Sequence, residues 1–340
     1  MKILESYLLK NLSSVFLTTF LPLFAIASVV FSIKLAAYTA VIKINILEMI
    51  QLYLFVLPEI LFYILPISFF IAAALSIFRL SNDNEIVVLF SLGIQPSFIL
   101  KALAKPALIL SLILAFDFYY LFPHSKTLSV NFREYKKSEA KFNLSASEFG
   151  NSFGDWLLYL GSKDEQNKTF GDVFLFNKKD KEEILISAQQ AQVINNNGLL
   201  QLKLTNGEGY LYSQQKFSQV DFRKMFINDK LHASLTKYKT PYEYWLSNPK
   251  DRNRRNMFIT DTLLTLFPLI SLFMVLTISV VQTRHQKSRI YLYLFLATIA
   301  YYGMTLGLAG ILKYYTIPVV FVVWTSATYW LYRKQIVEKF

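Results

Sequence analysis

The chain has 340 residues, of which 54% are hydrophobic and only 17% are charged. An ordinary soluble domain carries about 25% charged residues, so this deficit indicates that lipid is part of the solvent. The formal net charge of +12 is compatible with nucleic-acid binding or with the basic cytoplasmic edges of a membrane protein. No basic helix or tail tracks phosphates, so we expect no nucleic-acid partner. The absence of cysteine excludes disulfides and thiolate metal sites.

Six apolar runs reach the length that crosses a hydrocarbon core, which is about 20 residues. We expect transmembrane helices at residues 12–33, 52–78, 98–122, 258–281, 290–312 and 315–332. The first run follows Lys2 and Lys10, as in a signal peptide, but it exceeds the roughly 7–15 residues of a signal-peptide core. We therefore expect it to be retained as a span.

Lysine and arginine in the short loops predict the orientation. One set of span ends is rich in basic residues, whereas the opposite short edges carry only Lys34, Lys43 and Lys313. The basic set is predicted to be cytoplasmic, together with both termini, and it comprises Lys2, Lys10, Arg79, Lys101, Lys105, Arg284, Lys287, Arg289, Arg333, Lys334 and Lys339. The long segment 123–257 then lies on the extracytoplasmic side.

Segment 123–257 alternates apolar and polar residues over short runs, as half-buried strands do. Turns are predicted at Asn197-Gly198 and Asn206-Gly207. Seven or eight short strands predict a sandwich, jelly roll or open barrel, and residues 241–256 predict an amphipathic connection with interfacial aromatics. Apolar strand faces are expected at Leu157 with Tyr159 and at Leu200, Leu202 and Leu204.

The predicted fold is therefore a membrane α-helical bundle of six transmembrane helices with an inserted extracytoplasmic all-β, jelly-roll-like domain. Residues 1–122 hold the first three spans, 123–257 the β domain and its amphipathic end, and 258–340 the last three spans. No Walker loop, zinc-protease motif or serine-hydrolase motif is present in the sequence. We expect no catalytic residue, metal or cofactor in this chain, so any ATPase must be another subunit.

Residues 58–93 are the most informative stretch. Pro58-Glu59 and Leu65-Pro66 lie in the second span, which ends at Arg79. A short cytoplasmic helix at about 81–93 follows, capped by Ser81 or Asp83 and ended by Gly93. Its apolar face should be buried, and this face comprises Ile86, Val87, Leu89 and Phe90. Two interpretations remain open, a connector resting on the bilayer or a coupling helix in which Glu85 pairs with a basic group of a cytoplasmic partner.

This pattern resembles the lipopolysaccharide-export permease family, the paired F-type and G-type transmembrane subunits of the Lpt exporter. The motif resemblance is concentrated in residues 58–93, and the architecture of three spans, β domain and three spans is similar along nearly the whole chain. Pro58-Glu59 and residues 170–174 look slightly more F-type than G-type.

The resemblance implies a function, localisation and partners. Two such permeases pair in a bacterial inner membrane and bind a cytoplasmic ATPase dimer, which would hold ATP and Mg. Lipopolysaccharide enters the cavity between them from the outer leaflet and is pushed into a periplasmic bridge of jelly-roll proteins. By similarity, Glu85 occupies the acidic position of the coupling helix, and the same corner contains Arg79, Asp83, Leu89 and Gly93.

Lipid A phosphates require cations at the outer rim of such a cavity. The candidates are Lys34, Lys43 and Lys313, which could equally only snorkel to the interface; the resemblance favours Lys34. Glu59 and Asp117 are carboxylates near the outer ends of spans, where they could cap helices or pair with Lys34 or Lys313. The rival functions are a permease for another amphiphile, such as a glycolipid or lipoprotein, and a non-transporting membrane scaffold.

Overall fold

The computed structural model describes residues 2–39, 45–141, 151–153, 156–164, 169–179, 182–196, 199–213, 216–228, 240–246, 251–280 and 289–338. The chain divides into two compact units, one mainly helical and one that contains the β-sheet.

The helices follow the apolar runs but extend beyond them. They are α1 Lys2–Thr39, α2 Ile46–Asn82, α3 Glu85–Ser91, α4 Pro96–Phe116, α5 Phe122–Lys141, α6 Pro241–Leu246, α7 Arg252–Ile270, α8 Leu272–Ser279, α9 Ile290–Leu312 and α10 Thr316–Tyr332. A π-helical turn, Asp117–Leu121, joins α4 to α5, so the helix continues past residue 122, where the sequence analysis ended it. A 3-10 turn, Lys313–Tyr315, joins α9 to α10.

By length and composition, the described residues hold four helical runs able to cross a membrane, or five if the bent pair α7–α8 is one span. The predicted number of six is not confirmed by this criterion, which takes Ile290–Val337 as a single run. Within that run the chain reverses direction. The rings of Tyr301 and Trp324 lie 5.0 Å apart, although 23 residues on a straight helix would separate them by about 34 Å. Thus α9 and α10 lie side by side.

The predicted fourth span is not one straight helix. It is divided into α7 and α8, which meet at Ser271 with a bend of 50°. Pro268 lies just before the break, and a proline inside a helix removes a backbone hydrogen bond and clashes with the carbonyl four residues earlier. The bend therefore has a local cause in the sequence.

Helix α2 is the most enclosed of the long helices. More than half of its most apolar stretch is buried, whereas no residue in the corresponding stretch of α1 is. Three consecutive alanines, 72–74, are fully buried, and such small residues let neighbouring helix backbones approach closely. The core around them includes Phe62, Phe70, Ile77, Ile99, Leu103, Leu263, Phe267 and Tyr301.

The second unit contains a six-stranded antiparallel sheet in the order β1 to β6. The strands are β1 Asn151–Phe153, β2 Trp156–Asp164, β3 Thr169–Lys179, β4 Glu182–Asn196, β5 Leu199–Ser213 and β6 Lys216–Asn228. Each described strand pairs with its chain neighbours, which is a meander, whereas a jelly roll also pairs strands distant in sequence. The jelly-roll prediction is not confirmed, and the six described strands are longer than the short strands predicted.

The predicted turn at Asn206-Gly207 is wrong. Asn206 has a φ of 51°, but it lies inside β5, and Thr205 and Gly207 pair with the same neighbouring strand, β4. Asparagine tolerates the left-handed conformation, and here it bends a strand instead of reversing the chain. The turn predicted at Asn197-Gly198 lies outside the described residues.

Asp172 of β3 repeats this conformation, with a φ of 51°. The registers of β3–β4 and β4–β5 place Asp172 and Asn206 opposite the same position of β4, Gln189. The buried residues of β3 shift from even to odd numbers across this line, from Phe170 to Val173. We call the line the crease. It lets both halves of the sheet present apolar side chains to one core.

The sheet has two apolar faces. The buried core face comprises Leu158, Leu160, Val173, Leu175, Ile186, Ala188, Leu202 and Leu204. The prediction for Leu202 and Leu204 is thus confirmed, but Leu157 lies on the opposite, exposed face of β2. That exposed face also carries Phe174, Leu185, Tyr212 and Phe217. The side chain of Leu200 lies outside the described residues.

Candidate functional site

The short helix predicted at about 81–93 is present as α3. Its N-cap is Asn84, with a φ of 62°, and not Ser81 or Asp83. Gly93, with a φ of 82°, follows the C-cap. The amides of Gly93 and Ile94 donate to the carbonyls of Phe90 and Leu89 at 2.9 and 3.1 Å, which is a Schellman arrangement. The glycine ends the helix because a left-handed residue is required at this position.

Helix α3 has a docked face and a free apolar edge. Ile86 is fully buried, and Leu89 and Phe90 pack against the helical core. Val88 and Leu92 are 55% and 74% exposed. Because the docked face already anchors the helix to the bundle, the exposed edge is available to another molecule.

The N-terminal end of α1 is attached to α3 and α4 by side chains. The hydroxyl of Tyr7 donates to both carboxylate oxygens of Glu85, at 2.9 and 3.2 Å. Glu5 forms an ion pair with Lys105 of α4, and Leu8 is buried. Arg79 and Asp83 lie near enough to act electrostatically on Tyr7. Three of the predicted coupling positions, Arg79, Asp83 and Glu85, thus lie at one corner, and Tyr7 joins it to α1.

Long apolar surfaces are exposed on α1, α4, α9 and α10. The most apolar stretch of α1 contains no buried residue, and α9 exposes Tyr291, Tyr293, Phe295, Leu296, Ile299 and Leu306. Apolar surfaces of this extent face lipid or another chain.

The predicted phosphate-binding lysines are only partly described. Lys34 and Lys313 are exposed, and neither forms an ion pair with another described residue. Lys313 has a φ of 52° in the turn between α9 and α10. Lys43 lies outside the described residues.

The two carboxylates predicted near the outer ends of spans have different environments. Glu59 pairs with Lys126, at 3.3 Å, and not with Lys34 or Lys313 as considered from the sequence. Asp117 is buried at the start of the π-helical turn, and its Oδ1 has no hydrogen-bond partner among the described residues. Neither residue caps a helix through its side chain in this part of the chain.

Sequence reasoning missed Asp261 on α7. Its side chain is only 4% exposed and accepts hydrogen bonds from Tyr63, at 3.1 Å, and Thr260, at 3.3 Å. The sequence could have identified it, because Asp261 is a carboxylate early in the predicted fourth span and intramembrane carboxylates are functional candidates by default. No group of three or more potential metal ligands occurs among the described residues.

The model of the family described as lipopolysaccharide export system permease LptF/LptG matches residues 6–331. The chain belongs to this family. The match includes the corner around Glu85, the β-sheet and the helices on both sides of it, so it covers the described architecture from α1 to α10. A search of curated proteins gives no match.

Membership makes the chain a permease subunit of lipopolysaccharide export, a transport component and not itself a catalytic enzyme. Together with its apolar helices, it makes the chain a multi-pass membrane protein. It also implies a partner permease subunit in the Lpt system. The family model covers both F-type and G-type subunits.

Proposed function

We propose that this permease subunit extracts lipopolysaccharide from the outer leaflet of the inner membrane and passes it to a periplasmic bridge. ATP hydrolysis in a separate cytoplasmic ATPase dimer supplies the energy. The observation that carries this proposal is the attachment of α1. Tyr7 and Glu5 link its cytoplasmic end to α3 and α4, while its most apolar stretch is not buried.

This attachment supports a lever mechanism. The ATPase engages the exposed edge of α3, and movement of α3 is transmitted to α1 through Glu85 and Tyr7. Arg79 and Asp83 flank the contact, Leu89 anchors α3 and Gly93 sets its end. Helices α1 and α9 line a lateral gate against the second permease subunit, which covers part of their exposed apolar surface.

We assign six membrane crossings to the chain: α1, α2, α4, α7 with α8, α9 and α10. The side-by-side arrangement of α9 and α10 supports counting them separately. Both termini are then cytoplasmic and the β-sheet is periplasmic. We also propose that residues 123–257 form the extracytoplasmic insertion.

The lipopolysaccharide is held by charged groups at its phosphates and by apolar surfaces at its acyl chains. Lys34, Lys43 and Lys313 are the proposed partners of the lipid phosphates, because lysine acts as a point charge towards phosphate. The acyl chains lie along the apolar surfaces of α1 and α9. The creased sheet then takes up the acyl chains, as a jelly-roll domain of the bridge would. An edge strand of the sheet joins the bridge by strand addition.

The test is a site-specific photocrosslink from position 34 in cells, probed for lipopolysaccharide, with and without Glu85→Ala. We expect a lipid adduct at position 34, and altered labelling when Glu85 is replaced. A crosslinker at Val88 is the matched control and should capture the ATPase but no lipopolysaccharide. Efficient protein crosslinks at both positions without any lipid adduct would favour a scaffold or a different amphiphile.

A further inference from the structure

A cavity of about 330 Å³ lies between α2, α7 and α9. Its polar lining comes from Tyr63, Asn256, Thr260, Asp261, Tyr302 and Thr305. The remaining lining residues are apolar or aromatic, and no lysine or arginine is among them. This cavity is separate from the corner around Glu85 and from the predicted phosphate-binding lysines.

The cavity carries a negative group without a positive partner. Asp261 is almost fully buried, and its hydrogen-bond donors, Tyr63 and Thr260, are both neutral. Among the described residues, the charged residue that acts on it is Glu59, which has the same sign and is itself paired with Lys126. A carboxylate inside a transmembrane bundle normally pairs with a cation, and none of the described residues supplies one here.

Two further acceptors in the lining are unused. The hydroxyl of Tyr302 and Oδ1 of Asn256 are buried and have no hydrogen-bond partner among the described residues. Buried polar atoms are normally hydrogen-bonded, so each such atom requires an explanation. Together with Asp261, they give the cavity three acceptor groups, one of which is a carboxyl group.

We propose that this cavity binds a primary ammonium group, with Asp261 as its counter-ion. An ammonium has three donors and no acceptor, which matches a carboxylate, an amide oxygen and a phenol oxygen. The aromatic side chains of Tyr63 and Tyr302 also line the cavity. The amine is carried by a bilayer lipid headgroup or by a free small molecule. This inference goes beyond the proposed function, because amine binding requires no transport step.

The experiment uses the full chain in nanodiscs of phosphatidylcholine and phosphatidylglycerol, which contain no primary amine. Free ethanolamine is titrated and its binding is followed by saturation-transfer NMR. A second set of nanodiscs contains phosphatidylethanolamine, and native mass spectrometry measures the retained lipid. If Asp261→Asn weakens only the binding of free ethanolamine, the ligand is a free amine. If it weakens only the retention of phosphatidylethanolamine, the ligand is a lipid headgroup. If it weakens both, the site takes either.

The variants are chosen in matched pairs. Asp261→Asn keeps the shape and the hydrogen bond from Tyr63 but removes the charge, and should weaken amine binding about tenfold or more. Asp117→Asn changes another buried carboxylate, which does not line the cavity, and should leave binding unchanged. Tyr302→Phe should weaken binding a few-fold, whereas Tyr301→Phe should not, because the hydroxyl of Tyr301 already donates to the carbonyl of Leu263 at 2.7 Å.

Three results would overturn the proposal. The first is no amine binding in either arm. The second is wild-type binding by Asp261→Asn, or equal effects of the Tyr302 and Tyr301 variants. The third is binding of choline as tightly as ethanolamine, since choline has the positive charge but no N–H donor. If Asp261→Asn does not fold, the comparison of the two tyrosine variants and the choline titration still decide.

Discussion

Tyr7 and Glu85 are 78 positions apart in sequence and meet in one hydrogen-bonded pair. The pair is exposed, so its contribution to stability is small, because net gains from such bonds are about 1 kcal/mol. In the proposed mechanism, this pair joins the end of α1 to α3, on which the ATPase acts.

Tyr7→Phe keeps the ring and removes the donor. We expect roughly a fivefold loss of ATP-driven lipopolysaccharide release from the reconstituted complex, if the bond of about 1 kcal/mol is made only in the coupled state. Thermal stability should hardly change. Tyr119→Phe is the matched control, because it deletes another exposed tyrosine hydrogen bond between helices, to Thr262 at 3.0 Å. Equal release from the two variants would contradict the lever mechanism.

Gly93→Ala tests the end of α3. No atom lies within 4 Å of the added Cβ, so the cost is purely conformational, about 1 kcal/mol. Hydrogen exchange should show faster opening of the α3 amides. Gly303→Ala in α9 also meets no atom but sits in a helix, where alanine is favoured by about 1 kcal/mol, so it should not destabilise. Similar destabilisation by both substitutions would show that the left-handed conformation is not the cause.

Whole elements bend where single residues permit it. The predicted fourth span is divided near Pro268, and the sheet bends at the crease through Asp172 and Asn206. These three residues are of types that the sequence alone associates with breaks and left-handed backbone: a proline, an aspartate and an asparagine. Their effect depends on the neighbours, because paired strands on both sides hold the crease residues in place. An identical Asn-Gly dipeptide without those partners would form a turn.

Asn206→Val should destabilise the crease. A β-branched residue in the left-handed region costs about 1–2 kcal/mol, so the amides of β5 and β6 should exchange roughly five- to thirtyfold faster with deuterium. Asn206→Gly, which adopts this conformation without strain, should protect these strands as well as the wild type. Normal protection in Asn206→Val would mean that the strand does not need a left-handed residue at this position.

The whole molecule is proposed to cross the membrane six times, and the hairpin of α9 and α10 decides that number. If they cross separately, the turn between them and the end of α3 lie on opposite sides. The exposed positions Tyr315 and Leu92, at 77% and 74%, report on these two places. The natural absence of cysteine makes single-cysteine labelling direct.

A membrane-impermeant maleimide should label Tyr315→Cys in intact spheroplasts, whereas Leu92→Cys, in cells that lack the proposed ATPase, should react only after permeabilisation. A reversed pattern would invert the orientation that the basic residues predict. Labelling of both positions only after permeabilisation would place them on the same side, and the six-crossing topology would then be wrong.

The sequence by itself determined the features that depend on local composition. Hydropathy located the helices of the membrane unit, alternation located the region of the sheet, and Gly93 marked the end of α3. The Pro-Glu, Leu-Pro and Leu-Gly pattern led to the family that the comparison then matched. These features can be predicted without knowing which distant residues are in contact. Helix length, strand period and the left-handed conformation of a glycine are set within a few residues.

Only the tertiary structure decided which distant side chains meet. The pairing of Tyr7 with Glu85, the contact between Glu59 and Lys126, and the cavity around Asp261 each join residues from different helices. The same holds for the crease, since the registers of β3, β4 and β5 align Asp172 with Asn206. Hydropathy averages over a helix and does not fix its rotation or its neighbours. Packing fixes both, because close-packed side chains fit in few arrangements.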